Sequence, residues 1–114
     1  MEDRLARTFE ALADPARLAV VRLLRKKPRR SSEIADALAL NRPATSKHLE
    51  VLRQAGLVEA ALLQDDARAR VYRLRPERFS EMRGFIDEVE AYWGDELAAF
   101  KAHVERRHGA RRRH

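Results

Sequence analysis

The sequence predicts a mainly α-helical fold, a winged helix-turn-helix of about five helices with a two-stranded β-hairpin wing. Three features carry that expectation. Two helical patterns, residues 32–39 and 42–55, are joined by almost no spacer. Directly after them the periodicity changes to two short β-rich runs around a polar turn. Positive charge gathers on this same middle of the chain: residues 17–75 carry fourteen Lys and Arg against six acids, whereas residues 76–105 carry three against eight.

The first helix is marked by Leu5, Phe9 and Leu12 at helical spacing, and Asp14-Pro15 stops it, because the residue before a proline is pushed out of the α region. Proline is tolerated at the front of the next helix, PARLAVVRLLRK. Its stripe of Leu18, Val21 and Leu24, broadened by Val20 and Leu23, predicts the most buried helix of the set. The basic run KKPRR that follows reads as a solvated turn unless its neighbours converge on one partner.

Ser31 is placed to cap the helix SEIADALA, whose Ile34, Ala35 and Leu38 form a short apolar face. After Leu40, Asn41 is a second candidate cap, Pro43 falls in the first turn, and Gly56 closes the helix where a left-handed residue is favoured. LVEAALLQ and ARVYRLR then predict a hairpin, which must lie against the helices because an isolated one is marginal. Pro76 opens a long helix with room for one break at Gly84. Phe79, Met82, Phe85, Ile86, Val89, Trp93, Leu97, Phe100 and Val104 recur on it at intervals of three and four. A stripe of about eight turns exceeds what so small a chain can cover, which predicts a dimer interface.

With 114 residues, 45% of them hydrophobic, the chain has room for one domain, taken as residues 1–105. The tail 106–114, RRHGARRRH, is basic and without periodicity, and is expected to be disordered. The absence of cysteine excludes disulfides, thiolate metal sites and thiol redox sensing. The acidic N-terminus, MEDRLARTFEALAD, lacks an apolar signal region, and no run approaches the roughly 18–20 apolar residues of a membrane span. A cytoplasmic protein without a membrane partner is the expectation.

The second helix of the pair, NRPATSKHLEVLRQAGLV, carries the functional signal. At about 100° per residue, Thr45, Leu49 and Leu52 point to one side and Pro43, Lys47 and Gln54 to the other, with Ala44 and Ser46 on the flanks. The first set should be buried, Thr45 included. A helix end entering the major groove needs small residues for close approach, hydroxyls or amides for base edges, and a cation for the phosphates. Arg42, Ser46 and Lys47 supply these groups, with Pro43 and Ala44 beside them, and Asn41 with the free N–H groups of the helix start can face a phosphate. An ordinary exposed helix face shows similar residues. The short turn before it and a hairpin tipped with Arg68 and Arg70 tilt the reading toward double-stranded DNA. Ser31 and Ser32, at the front of the first helix of the pair, complete the candidate contacts.

The segments FEALADPARLAVVRLL, SSEIADALALNRPATSKHLEVLRQAGLVEA and VYRLRPERF occur in order, and together resemble the ArsR family of bacterial transcriptional repressors over residues 5 to about 105. The resemblance implies a homodimer paired through the first and last helices, with Leu5 and Phe9 joining Phe85, Val89, Trp93, Leu97 and Phe100 at the interface. It implies a repressor on a palindromic operator near its own promoter, and marks Ser46, Lys47 and His48 as groove-facing, although His48 is expected to pack or to touch phosphate. Metal-sensing members carry cysteines where this chain has Glu33 to Asp36. A second metal pattern is also incomplete, because Val89 follows Asp87 and Arg106 follows His103 at its remaining positions. Asp87, His103 and Glu105 are numerically sufficient for zinc, but the pattern disfavours them. AYWGDELAAFKAHVE is similar to a metal-independent branch with a Trp-containing final helix, so no metal or cofactor is expected, and the small-molecule effector is not specified.

The competing expectation is a winged-helix interaction module whose basic face meets an acidic protein. An enzyme is not expected: the sequence has no Gly-rich phosphate loop, and no hydroxyl, His and carboxylate set at a recognisable spacing.

Overall fold

The computed structural model describes residues 3–63 and 66–112, with side chains at 3–62 and 70–109. The elements are α1 (Arg4–Leu12), α2 (Pro15–Leu24), α3 (Ser31–Leu38), α4 (Arg42–Gln54), β1 (Val58–Leu63), β2 (Asp66–Leu74) and α5 (Pro76–Arg112). The expected five helices and antiparallel hairpin are therefore present. The chain divides into two compact units, the first ending at Met82 and the second beginning at Arg83.

In the first unit the core is built on Val20 of α2, Ile34 of α3, Leu49 and Leu52 of α4, and Leu57 and Val58 beyond it, all essentially inaccessible to solvent. Leu5, Phe9 and Leu12 of α1, Tyr72 and Leu74 of β2, and Phe79 pack around it half-buried. Leu18 departs from the expected stripe, being 37% exposed. The cause is angular: at about 100° per residue Leu18 stands about 160° from Val20, and α2 faces the core along Val20 and Leu24 instead.

Two of the helix starts differ from expectation. Asp14 does more than end α1, because its Oδ1 accepts the backbone N–H groups of Ala16 and Arg17 at 2.8 and 3.1 Å and caps α2, with Pro15 at the first helical position. Ser31 is not the cap of α3. That position belongs to Arg30, whose backbone N–H donates to Glu33 Oε1 at 2.9 Å, and Ser31 is already helical.

α3 and α4 end in the same way. Leu40 N–H reaches Ala35 O at 2.9 Å with Ala39 left-handed (φ 54°), and Leu57 N–H reaches Leu52 O at 3.0 Å with Gly56 left-handed (φ 78°). Both are Schellman closures, and the first of them folds α4 back across α3 within the turn Ala39-Leu40-Asn41.

β1 and β2 pair from Val58 opposite Leu74 to Leu62 opposite Arg70. The base of the hairpin is held to the helices at Arg75, whose N–H donates to Leu57 O at 2.9 Å. Arg29 exchanges both backbone hydrogen bonds with Tyr72, at 3.0 and 2.7 Å, and so adds a one-residue third strand beside β2. KKPRR is thus only partly a solvated turn: Lys26, Lys27 and Arg30 are exposed, while Arg29 ties the turn to the wing.

In the second unit the expected stripe on α5 is solvent-exposed, with Phe85, Ile86, Val89, Trp93, Leu97 and Phe100 between 37 and 67% accessible. The helix runs through Gly84 without a break. It also continues to Arg112, through Gly109 and into the tail for which disorder is expected.

Candidate nucleic-acid interface

The front of α4 is set by its cap. Asn41 Oδ1 accepts Ala44 N–H at 2.8 Å, and Pro43 needs no hydrogen-bond partner in the first turn. Thr45 is fully buried and its Oγ1 donates back to Asn41 O at 2.9 Å, so this hydroxyl is spent inside the helix. With Thr45, Leu49 and Leu52 locked into the core, Arg42, Pro43, Ser46 and Lys47 must face outward, and all four are exposed, with Ala44 half-buried on the flank. Ser32 at the start of α3 is exposed and Ser31 half-buried. Arg70 is exposed on the wing, whereas the side chain of Arg68 lies outside the described residues.

His48 is not part of this front. It is half-buried, and its Nδ1 lies 3.4 Å from Arg17 Nη1. Arg17 also donates from Nε to Ala11 O at 2.6 Å, and Nη1 stands 4.0 Å from Asp14 Oδ2. The backbone N–H of Arg17 holds the Asp14 carboxyl below the usual carboxylate range, with the N–H of Ala16 and the Arg17 charge acting in the same direction and partial burial opposing them. Asp14 and Arg17 were not among the expected functional residues. Asp-Pro-Ala-Arg is a legible cap sequence, but the reach of Arg17 to α4 has no signature in local spacing.

The cations around the candidate site differ in their pairing. Arg4, Arg53, Arg73, Arg75 and Arg78 pair with Glu81, Glu50, Glu59 and Glu77 at 2.6 to 3.7 Å. Arg42 and Lys47 on α4, Arg70 on the wing and Arg30 before α3 have no ion-pair partner among the described residues. Glu50, the one acid on α4, is clasped by Arg53 at 3.0 and 3.1 Å and by Gln54 at 3.1 Å. The Arg53 hydrogen bond draws its carboxyl below the usual range, so it sets no bare negative charge beside the cationic front. Among the described residues, pairing thus leaves unpaired charge at the helix start and the wing, and also on Arg22, Arg25, Lys26 and Lys27 at the end of α2 and in the turn after it.

Residues 14–60 match the family model for bacterial regulatory proteins of the arsR family. The HTH-type transcriptional regulator Rv2034 of Mycobacterium tuberculosis is 35% identical over 94 residues, covering 82% of this chain and 82% of the relative. The chain belongs to the ArsR family. Among solved structures, an ArsR-like transcriptional regulator from Rhodococcus sp. RHA1 superposes with a TM-score of 0.73 at 31% identity, covering 86% of this chain and 90% of that one. The homodimeric winged helix-turn-helix DNA-binding domain Mb0332 of Mycobacterium bovis, a possible ArsR-family transcriptional regulator, gives 0.60 at 28% identity, covering 83% and 82%.

This ArsR-family chain is accordingly a transcriptional regulator with a DNA-binding winged helix-turn-helix. It has no cysteine, and among the described residues no three His, Asp or Glu side chains gather into a metal site. Asp87 and His103 are sixteen residues apart on one helix, about 24 Å along its axis, and cannot meet within one chain. No helix among the described residues is long and apolar enough to cross a membrane.

Proposed function

We propose that this regulator is a cytoplasmic, homodimeric repressor that binds a palindromic operator and acts at its own promoter without a metal cofactor. The observation that carries the DNA reading is the unpaired charge just described. Among the cations with no ion-pair partner are those on the exposed front of α4 and on the wing, the two elements that a winged helix-turn-helix presents to the major groove and the adjacent backbone. In this reading Arg42 and Ser46 approach base edges over the small residues Pro43 and Ala44. Lys47, Arg70 and the start of α3 at Ser31 and Ser32 engage phosphates, and the start of α4 at Asn41 and Arg42 adds a favourable site for another.

Dimerisation follows from the stripe on α5. Phe85, Val89, Trp93, Leu97 and Phe100 are exposed at helical spacing along α5, and a second copy, joined at Leu5 and Phe9 of α1, covers them. Two-fold symmetry of the protein then demands half-sites one helical turn, or a multiple of it, apart. Repression follows from occupancy, since a dimer seated on its promoter excludes the transcription machinery.

Footprinting on the DNA upstream of the gene tests these points together. A protected, two-fold symmetric site overlapping the promoter is the expected result. Binding that falls with salt but protects no sequence would leave the competing module with an acidic protein partner as the better account.

A further inference from the structure

One guanidinium ties together three parts of the first unit. Arg17 donates from Nε to the carbonyl of Ala11, in the last turn of α1, at 2.6 Å. Its own backbone N–H is held by Asp14, the cap of α2, and its Nη1 lies 3.4 Å from His48 Nδ1 on α4. Its side chain is 18% exposed, so these contacts form with much of the water already removed. Arginine has no acceptor, so the contact requires His48 to offer the lone pair of Nδ1 and to carry its proton on Nε2.

His48 follows Lys47 directly and stands one turn beyond Ala44 on the same helix. A rotation of α4 about its own axis would therefore shift Arg42, Ser46 and Lys47 together. The core residues Thr45, Leu49 and Leu52 resist large rotations, but apolar packing is non-directional, whereas the contact with Arg17 has a direction.

We infer that Arg17 and His48 form a positioning pair, in which His48 serves sequence discrimination by fixing the angle of α4 through Arg17 and not by touching DNA. The inference rests on the reading of α4 as the element that meets base edges. It reassigns the one member of the Ser46-Lys47-His48 set that the structure turns away from the exposed front. A small rotation leaves phosphate contacts by long, flexible side chains nearly intact and spoils the tighter geometry of base-edge hydrogen bonds. Loss of the pair should therefore act on the preference for operator over random DNA, with total affinity for random DNA unchanged.

The test uses the full chain and two duplexes, one taken from the footprinted upstream site and one with the same base composition scrambled, titrated over a salt series. His48→Leu, which removes the acceptor, and Arg17→Met, which removes the donor, should each lower the operator-to-scrambled affinity ratio about tenfold with the salt slope unchanged. His48→Gln, which can present an acceptor oxygen to Arg17, should recover most of the ratio. Thermal melting of each variant checks folding, and if Arg17→Met unfolds, the His48 variants decide the matter.

Two results overturn the inference. One is an unchanged ratio in His48→Leu. The other is an equal loss on both duplexes with the salt slope reduced by about one, which would place His48 on a phosphate. A wild-type chain with no operator preference would bring down the DNA-reading proposal itself. A discriminating wild type beside an equally discriminating His48→Leu removes only this pair.

Discussion

α4 and the part of α5 beyond Met82 carry apolar residues at the same spacing and meet opposite fates. On α4, Thr45, Leu49 and Leu52 are essentially inaccessible, because α2, α3 and the strand that follows surround them. On α5, Val89, Trp93, Leu97 and Phe100 stand open to solvent, and the second unit contains no element besides that helix. Periodicity states which side of a helix avoids water and says nothing about what covers it. For α4 the cover is in the chain, and the opposite face is free to carry Arg42, Ser46 and Lys47. For α5 the exposed stripe is the observation behind the proposed dimer.

Single substitutions can break this contrast. Leu52→Ala removes a fully buried side chain from the first unit and should cost about 2–5 kcal/mol in unfolding free energy, measured by denaturant titration. A loss below 1 kcal/mol would mean that α4 is not held by its own core. Trp93→Ala should weaken dimerisation by about 3 kcal/mol if a partner buries the ring, with little effect on the melting of the first unit. Sedimentation equilibrium measures this, and an unchanged dimer constant would assign the stripe to some other partner.

Lys47→Ala sharpens the other face. As an exposed cation without an ion-pair partner, Lys47 should contribute one phosphate contact. Its removal should weaken binding to every duplex alike and reduce the salt slope by about one unit. Loss of discrimination at a single base pair would instead make it a base contact.

The fold was largely legible because its signals are local. Asn41 with Pro43 marks the start of α4, Gly56 marks its end, and alternation around Tyr72 marks the hairpin. Thr45 could be assigned to the core from its angle alone, since no other side of α4 puts it beside Leu49 and Leu52. What stayed hidden depends on distant partners. Leu18 was grouped with its neighbours at i+3 and i+6, but the position of α3 turns α2 onto Val20. Arg29 looked like one more charge in a basic run, and only the return of β2 gives its backbone a ladder partner in Tyr72. Arg17 lies thirty-one residues from His48, and nothing in its surroundings announces a contact across that separation. The candidate interface was legible as a set of residue types, and its sorting into paired and unpaired cations required the glutamates to be placed in space.

The smallest expected effect concerns the two turns that frame α4. Both place a residue in the left-handed region, where a Cβ crowds the following carbonyl at a cost of about 1–2 kcal/mol, yet one turn uses Gly56 and the other Ala39. At Gly56 an added Cβ would also lie 3.0 Å from Arg78 Nε, a flexible side chain that can move aside. Gly56→Ala should therefore cost about 1–2 kcal/mol, mostly from the backbone. Ala39→Gly should do the reverse. It relieves the strain at the helix-turn-helix turn, loses part of the gain to the greater freedom of glycine in the unfolded chain, and should stabilise the protein by about 0.5–1 kcal/mol. Chemical denaturation of the two variants side by side measures both signs. If Ala39→Gly destabilises the protein, then the Ala39 methyl group contributes packing that outweighs its backbone strain. The turn between α3 and α4 would then be held by side-chain contact and not by its two Schellman hydrogen bonds alone.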